Sequence, residues 1–276
     1  MSAVAAGPGT AAPGRDRRPA TFADALRCEW TKIRTVRSTF WTLLVAAVLA
    51  IGFGALFSAV AAHHYARETL AGRAGWDPTS ISTSGLGLAQ LAIEVLGVLV
   101  ITSEYSTGSI RTSLAAVPRR GRFLAAKATV LTAVSLMAGE VMAFATFLIG
   151  QALISGQAPT ASFGQPGVLR AVIGAGLCLA ALGLFGVALG ALLRHPAAAI
   201  AVLVAVVFVL PGIAAALPAR IERNVEEYWP TTAGAQVTAV IHGTHQLGPW
   251  PGFGLMCLFI AAAMAAAFLL LARRDT

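Results

Sequence analysis

The chain is poor in charge. Asp, Glu, Lys and Arg make up 12% of its 276 residues, against about 25% in an ordinary soluble domain. Lysine is the scarcest cation: only Lys32 and Lys127 occur, and neither follows a glycine. A P-loop needs Gly-Lys before Ser/Thr, so that backbone amides cradle phosphates while the lysine neutralises them; this chain cannot bind ATP in that manner. Neither HExxH nor GxSxG is present, and no convergent nucleophile or metal set marks an enzyme. Cys28, Cys178 and Cys257 are scattered, which suggests neither a disulfide framework nor a metal cluster. Residues 1–20 are rich in Ala, Gly, Pro and Arg. They lack the apolar core of a signal peptide and read as a disordered tail.

What is abundant is apolar. Hydrophobic residues are 57% of the chain, and the mean hydropathy is +0.75. They fall in six blocks, at 40–62, 86–102, 123–154, 168–193, 197–217 and 252–272. A helix needs roughly 20 residues to cross a bilayer. A transmembrane barrel would instead alternate in segments of about 10, whereas these blocks are unbroken Ala, Leu, Val and Gly. The expected fold is an all-α membrane protein with six transmembrane helices. The net charge of +8 is unevenly placed: fourteen of the twenty Lys and Arg lie before the first block, in alternate connections or after the last block, and a fifteenth, Lys127, lies just inside the third block on the same side. The positive-inside rule then makes both termini cytoplasmic. The basicity is a topology signal, and no nucleic-acid partner is expected.

Residues 21–37, TFADALRCEWTKIRTVR, are too polar to span. Thr21 and Asp24 fit a capping box. Phe22, Leu26, Trp30, Ile33 and Val36 then share one helical face, opposite Arg27, Thr31 and Arg34. Such a helix suits the cytoplasmic interface. Glu29 projects near the apolar face; it either snorkels, pairs with a nearby Lys or Arg, or forms an ion pair to the 101–127 segment.

On the expected outer side, His63, His64, His242 and His245 occur without a Cys or paired carboxylate, and they read as ordinary loop histidines. Tyr228, Trp229 and Trp250 look like interfacial anchors. Thr231 is expected to cap a short helix reaching Ile241, one of one or two short helices in the last outer loop. Gly186 and Gly190 form a GxxxG that permits close helix approach, within one subunit or between two. Pro211–Gly212 is expected to kink the fifth span. Glu94 and Glu140 lie within spans, where a carboxylate should face protein or water. They are candidates for a translocation path, as a packing contact, a cavity contact to a cationic substrate or a proton relay.

The segment ITSEYSTGSIRTSLAAVPRRGRFLAAK, 101–127, interrupts the apolar pattern. Glu104 ends the second span against the negative end of the helix dipole and needs a cationic partner, from Arg111 or from the 21–37 helix. Thr107–Gly108 breaks the helix. Residues 109–117 can form a short helix of roughly 13 Å with Ile110, Leu114 and Val117 on one face. Pro118 closes it, followed by Arg119, Arg120 and Arg122.

EWTKIRTVRSTFWTLL, LGVLVITSEYSTGSIRTSLAAVPRRGRFLAAK and, more weakly, YWPTTAGAQ resemble the membrane permeases of ATP-binding-cassette exporters, in the ABC-2 group, especially the Ala-rich actinobacterial type. Glu104, Gly108 and Pro118 match that family's glutamate, glycine and proline, and Arg119 and Lys127 match its basic positions. The resemblance implies an elbow helix at 21–38, a six-helix permease domain at 39–276, a coupling helix at about 106–118 and short extracellular helices at about 218–250. It implies docking of the coupling region, Glu104, Gly108, Ile110, Arg111, Leu114, Pro118, Arg119 and Arg120, on a separate cytoplasmic ABC ATPase subunit, which binds the ATP and Mg. It also implies a second permease copy or paralogue, a bacterial plasma membrane location and no catalysis or cofactor in this chain. Rival readings are a secondary transporter working through Glu94 or Glu140, and a non-transporting scaffold.

Overall fold

The computed structural model describes residues 21–110, 112–113, 119–214, 216–241, 243 and 246–273. Arg111, Leu114, Pro118, His242 and His245 therefore lie outside the described residues. Helices account for nearly all of the rest, and no strand occurs among the described residues.

The first helix, α1 (Phe22–Thr35), starts at the expected capping box: Thr21 accepts from the Asp24 amide, and Asp24 accepts from the Thr21 amide. Val36 separates it from α2 (Arg37–Tyr65). Short α3 (Leu70–Ala74) and α4 (Pro78–Thr83) precede α5 (Leu86–Ser106). Next come α6 (Arg120–Ile154) and α7 (Val168–Leu193). A fifth apolar rod is made of α8 (Pro196–Val204), a π-helical stretch (Ala205–Val209) and α9 (Leu210–Ala214). Then follow α10 (Ala219–Tyr228), α11 (Pro230–Ala235) with a 3-10 turn (Gln236–Thr238), and α12 (Pro249–Arg273). Six rods are long and apolar enough to cross a membrane, namely α2, α5, α6, α7, Pro196–Ala214 and α12. They match the six sequence blocks to within four residues at each end.

The most buried rod is α7, which packs on α5, α6 and α12. Its small residues explain the close approach. A Cβ on Gly186 would run into the Glu94 carbonyl, and one on Gly190 would lie 2.9 Å from the Val98 carbonyl. The GxxxG is therefore filled by α5 of the same chain. The reciprocal position, Gly97 on α5, faces the Gly183 carbonyl.

Two elements depart from the sequence expectations. The first outer connection contains α4, wedged between α2 and α6, with Thr79 and Ser82 buried. Asp77 caps it, accepting from the Thr79 and Ser80 amides, and Pro78 fills its first turn, where the missing N–H costs nothing. Gln151 of α6 locks it in place, donating to the Pro78 carbonyl (2.9 Å) and to Ser82 Oγ (2.8 Å). In the last outer loop, Thr231 does not cap a helix reaching Ile241. Trp229 occupies the N-cap with no side-chain bond, α11 ends at Ala235, and the 3-10 turn stops at Thr238. Pro230 at N1 moves the start two residues earlier than expected. Arg170 of α7 closes the far end by donating to the Val237 (2.9 Å) and Ala239 (2.8 Å) carbonyls.

The fifth rod is disturbed at Pro211 through a widened turn. In the π register the Leu210 amide bonds to the Ala205 carbonyl. The next amide in that register would belong to Pro211, which has none, so the Val206 carbonyl is left without a backbone donor. The Trp229 indole Nε1 donates to it at 2.9 Å. Tyr228 and Trp250 are exposed, as anchors should be, whereas Trp229 repairs the bulge.

Candidate functional site

The charged residues that matter converge at one end of the bundle, where α1 crosses the start of α6 and the last turn of α5. Lys127 Nζ donates to Glu29 Oε2 at 2.6 Å and to Glu104 Oε1 at 2.8 Å. Lys32 Nζ donates to Glu29 Oε1 at 2.8 Å and to the same Glu104 oxygen at 2.9 Å. Both lysines of the chain and two carboxylates thus form a closed ring from three helices, neutral in sum. Lys127 is 2% exposed, and Glu29 and Glu104 are also buried. The Phe123 ring lies 5.3 Å from Lys127 Nζ and 5.9 Å from Lys32 Nζ, within the reach of a cation–π contact.

The local sequence explains the ring. Glu29 and Lys32 are three residues apart on α1 and so share a face. Ala25, one turn before Glu29, is 3% exposed and lets α1 lie close on α6. The buried face of α1 is therefore Ala25–Glu29, while Phe22, Trp30 and Val36 are exposed and Leu26 and Ile33 half-buried. Glu29 meets both a neighbour in its own helix and the 101–127 segment. Glu104 finds its cations in Lys32 of α1, as anticipated, and in Lys127, which was not assigned to it. Partial burial works against the Lys32 ammonium, but its hydrogen bonds to Glu29 and Glu104 outweigh this and hold its pKa above the ordinary value of 10.5.

Beyond Glu104 the chain turns sharply. Gly108 has φ +71° with open space where a Cβ would be, so the glycine serves the left-handed turn that ends α5. The Ser113 amide bonds to the Ser109 carbonyl at 3.0 Å, beginning a new helical turn, and Ile110 is buried in a cluster with Phe123, Leu124 and Leu271. Arg119 is exposed. Arg120 is turned inward, its Nη1 donating to the Leu271 carbonyl of α12 at 3.3 Å.

The intramembrane carboxylates are elsewhere. Glu94 is fully buried, with Oε1 accepting from Gln90 at 3.0 Å and Oε2 unpartnered among the described residues. Glu140 is half-buried against Gly176 of α7. Neither lines the cavity of about 490 Å³ that is bordered by Glu29, Lys32, Glu104 and Lys127. Sequence reasoning missed the structural parts played by Lys127, Gln151 and Arg170; the signal for Lys127 was its rarity, a lysine inside an apolar helix.

A family model described as ABC-2 family transporter protein matches residues 25–212. The chain belongs to that family. The match runs from within α1 to within the fifth rod and so includes the whole ion ring. No curated protein matches the sequence. As an ABC-2 protein with six apolar rods, the chain is the membrane subunit of a transporter.

Proposed function

We propose that this chain is the membrane-spanning permease subunit of an ATP-driven ABC exporter, with a separate cytoplasmic ATPase subunit supplying the force. Residues 106–118 act as the coupling helix, α1 as an interfacial elbow, and both termini are cytoplasmic. Residues 1–20 form a tail and 39–276 the permease domain, paired with a second copy or paralogue in a bacterial plasma membrane. ATP and Mg belong to the ATPase; this chain is not catalytic. The observation that carries the reading is the ion ring. It ties the segment entering the coupling region (Glu104) to the elbow (Glu29, Lys32) and to the next span (Lys127). A push on the coupling segment would thereby move three helices together.

Of the coupling set, Glu104, Gly108 and Ile110 shape the segment, Arg119 presents charge to a partner, and Arg120 positions α12. Arg111, Leu114 and Pro118 complete the set from the sequence alone. The deciding experiment is charge reversal at exposed Arg119. Arg119→Glu should leave the bundle folded but reduce co-purification of the ATPase and efflux severalfold. A purified complex in which no nucleotide hydrolase accompanies the chain would overturn the reading. A second reading draws on the unpartnered Glu94 oxygen: a secondary transporter with Glu94, and Glu140 beyond it, on the path. ATP-independent uptake in proteoliposomes, abolished by Glu94→Gln, would select it.

A further inference from the structure

Glu94 and Glu140 are the two charged residues that stand in the middle of an apolar rod; the others described lie within about two turns of a rod's end. Glu94 is fully buried and accepts from Gln90. Glu140 has neither protection. It is half-buried, its carboxyl laid over Gly176 of α7, and no hydrogen bond or ion pair reaches it among the described residues. Its Oε2 is enclosed, whereas Oε1 is not. Beside it on α6, Met137 and Val141 are 66% and 69% exposed. Ala133, Met137, Glu140 and Phe144 recur at 4-3-4 spacing and so form one seam along the helix.

Glu140 lies about 21 Å along α6 from Ile154 and about 30 Å from Arg120. Hydrocarbon offers a carboxyl nothing at that depth, so an intramembrane Glu faces protein or water. Its own chain supplies no donor. A second copy carries the same charge asymmetry and inserts the same way round. A closed pair of copies then has its two-fold axis along the membrane normal, and equal depths come face to face. On the α6 seam the groups at this depth are Met137, Val141 and Phe144, which have no donor, and Glu140 itself. A carboxylic acid holds both a donor and an acceptor. It is therefore its own complement across such an axis.

We propose that two copies of this chain pair along the Ala133–Phe144 seam of α6, the O–H of one Glu140 donating to Oε1 of its twin. The inference deepens the reading of the chain as one half of a paired permease, and rests on it. Lys127 is on the same helix, 13 residues earlier, so the pairing would join the two ion rings through one rod from each copy.

The test uses the full chain in liposomes, without an ATPase. Met137→Cys and Val209→Cys, the latter exposed on the fifth rod, are made separately in a Cys28→Ser/Cys257→Ser background and oxidised in the membrane. Met137→Cys should crosslink to a dimer and Val209→Cys should not. Single-molecule photobleaching over a lipid dilution series then gives the dimer affinity. Glu140→Leu should weaken it roughly threefold to thirtyfold, the range for one interhelical hydrogen bond in a membrane. Glu140→Gln, whose amide keeps a donor and an acceptor, should retain it. If Glu140→Leu does not fold, the crosslinks decide. A chain that stays monomeric, a dimer that crosslinks through Val209→Cys but not Met137→Cys, or a Glu140→Leu variant that pairs as tightly as wild type would each overturn the proposal. A chain that recruits an ATPase yet pairs through another face leaves the exporter reading standing, and a seam dimer that recruits no ATPase sinks only the latter.

Discussion

At the level of single residues, Lys127 has the most to lose. It is withdrawn from water, and among the described residues its ammonium donates to Glu29 and Glu104 alone. Burying a charge is costly, and removing one partner of a buried pair leaves the other uncompensated, typically at about 3–5 kcal/mol. Lys127→Ala should therefore lower the Tm in detergent by about 10 °C. Arg27→Ala, which removes an exposed 3.8 Å contact to Asp24, should shift it by no more than about 2 °C. Similar losses in the two variants would mean that the ring is not load-sharing. Lys32 carries a pH signature. Its folded pKa is raised, so its stabilisation is complete below about pH 10.5 and is lost as pH climbs through the higher folded value. The wild-type Tm should fall more steeply above pH 10.5 than that of Lys32→Met. Sequence alone indicated that Glu104 needed a cation and Glu29 a partner, since both oppose their surroundings. It did not indicate that one lysine would serve both, because Lys127 is 23 residues from Glu104 and 98 from Glu29. Only tertiary packing closes such a ring.

Individual helices show which sequence signals translate and which do not. Length and hydropathy located all six rods, because a membrane helix satisfies its own backbone and needs little else. Glycine was ambiguous, since a small residue permits close approach without naming the partner. The structure separates two kinds. Gly52 of α2 has open space around its missing Cβ, whereas Gly97 faces backbone on α7. Gly52→Ala should stabilise by about 0.5–1 kcal/mol and Gly97→Ala destabilise by about 1–3 kcal/mol, read as opposite shifts in thermal midpoint. Short α4 was illegible because a proline and four hydroxyl residues in six do not resemble a buried helix; the Gln151 side chain makes that burial possible. Pro211 was legible as a disturbance, but its repair was not. Trp229→Phe should cost about 1–3 kcal/mol by orphaning the Val206 carbonyl. Pro211→Ala, which restores an amide and allows a regular helix, should make that same Trp229 change nearly neutral. A double-mutant cycle with no coupling would refute the link.

For the molecule as a whole, orientation is the property on which the exporter reading depends, and it rests on charge asymmetry. The three cysteines make it measurable without altering the chain. Cys28 is exposed on α1, Cys178 is buried in α7, and Cys257 is exposed about a third of the way along α12, a rod apolar enough to cross a membrane and so expected to be shielded from water. A charged maleimide needs water and a thiolate, so Cys28 alone should react. With α1 on the cytoplasmic surface, intact cells should show no labelling by an impermeant maleimide, and inside-out vesicles should show one label per chain, lost in Cys28→Ser. The same experiment places the ion ring and the cavity beside it, since both are built on α1. Labelling of Cys28 from outside intact cells would invert the molecule, put the Gly108 turn on the outer surface and leave a cytoplasmic ATPase nothing to grip.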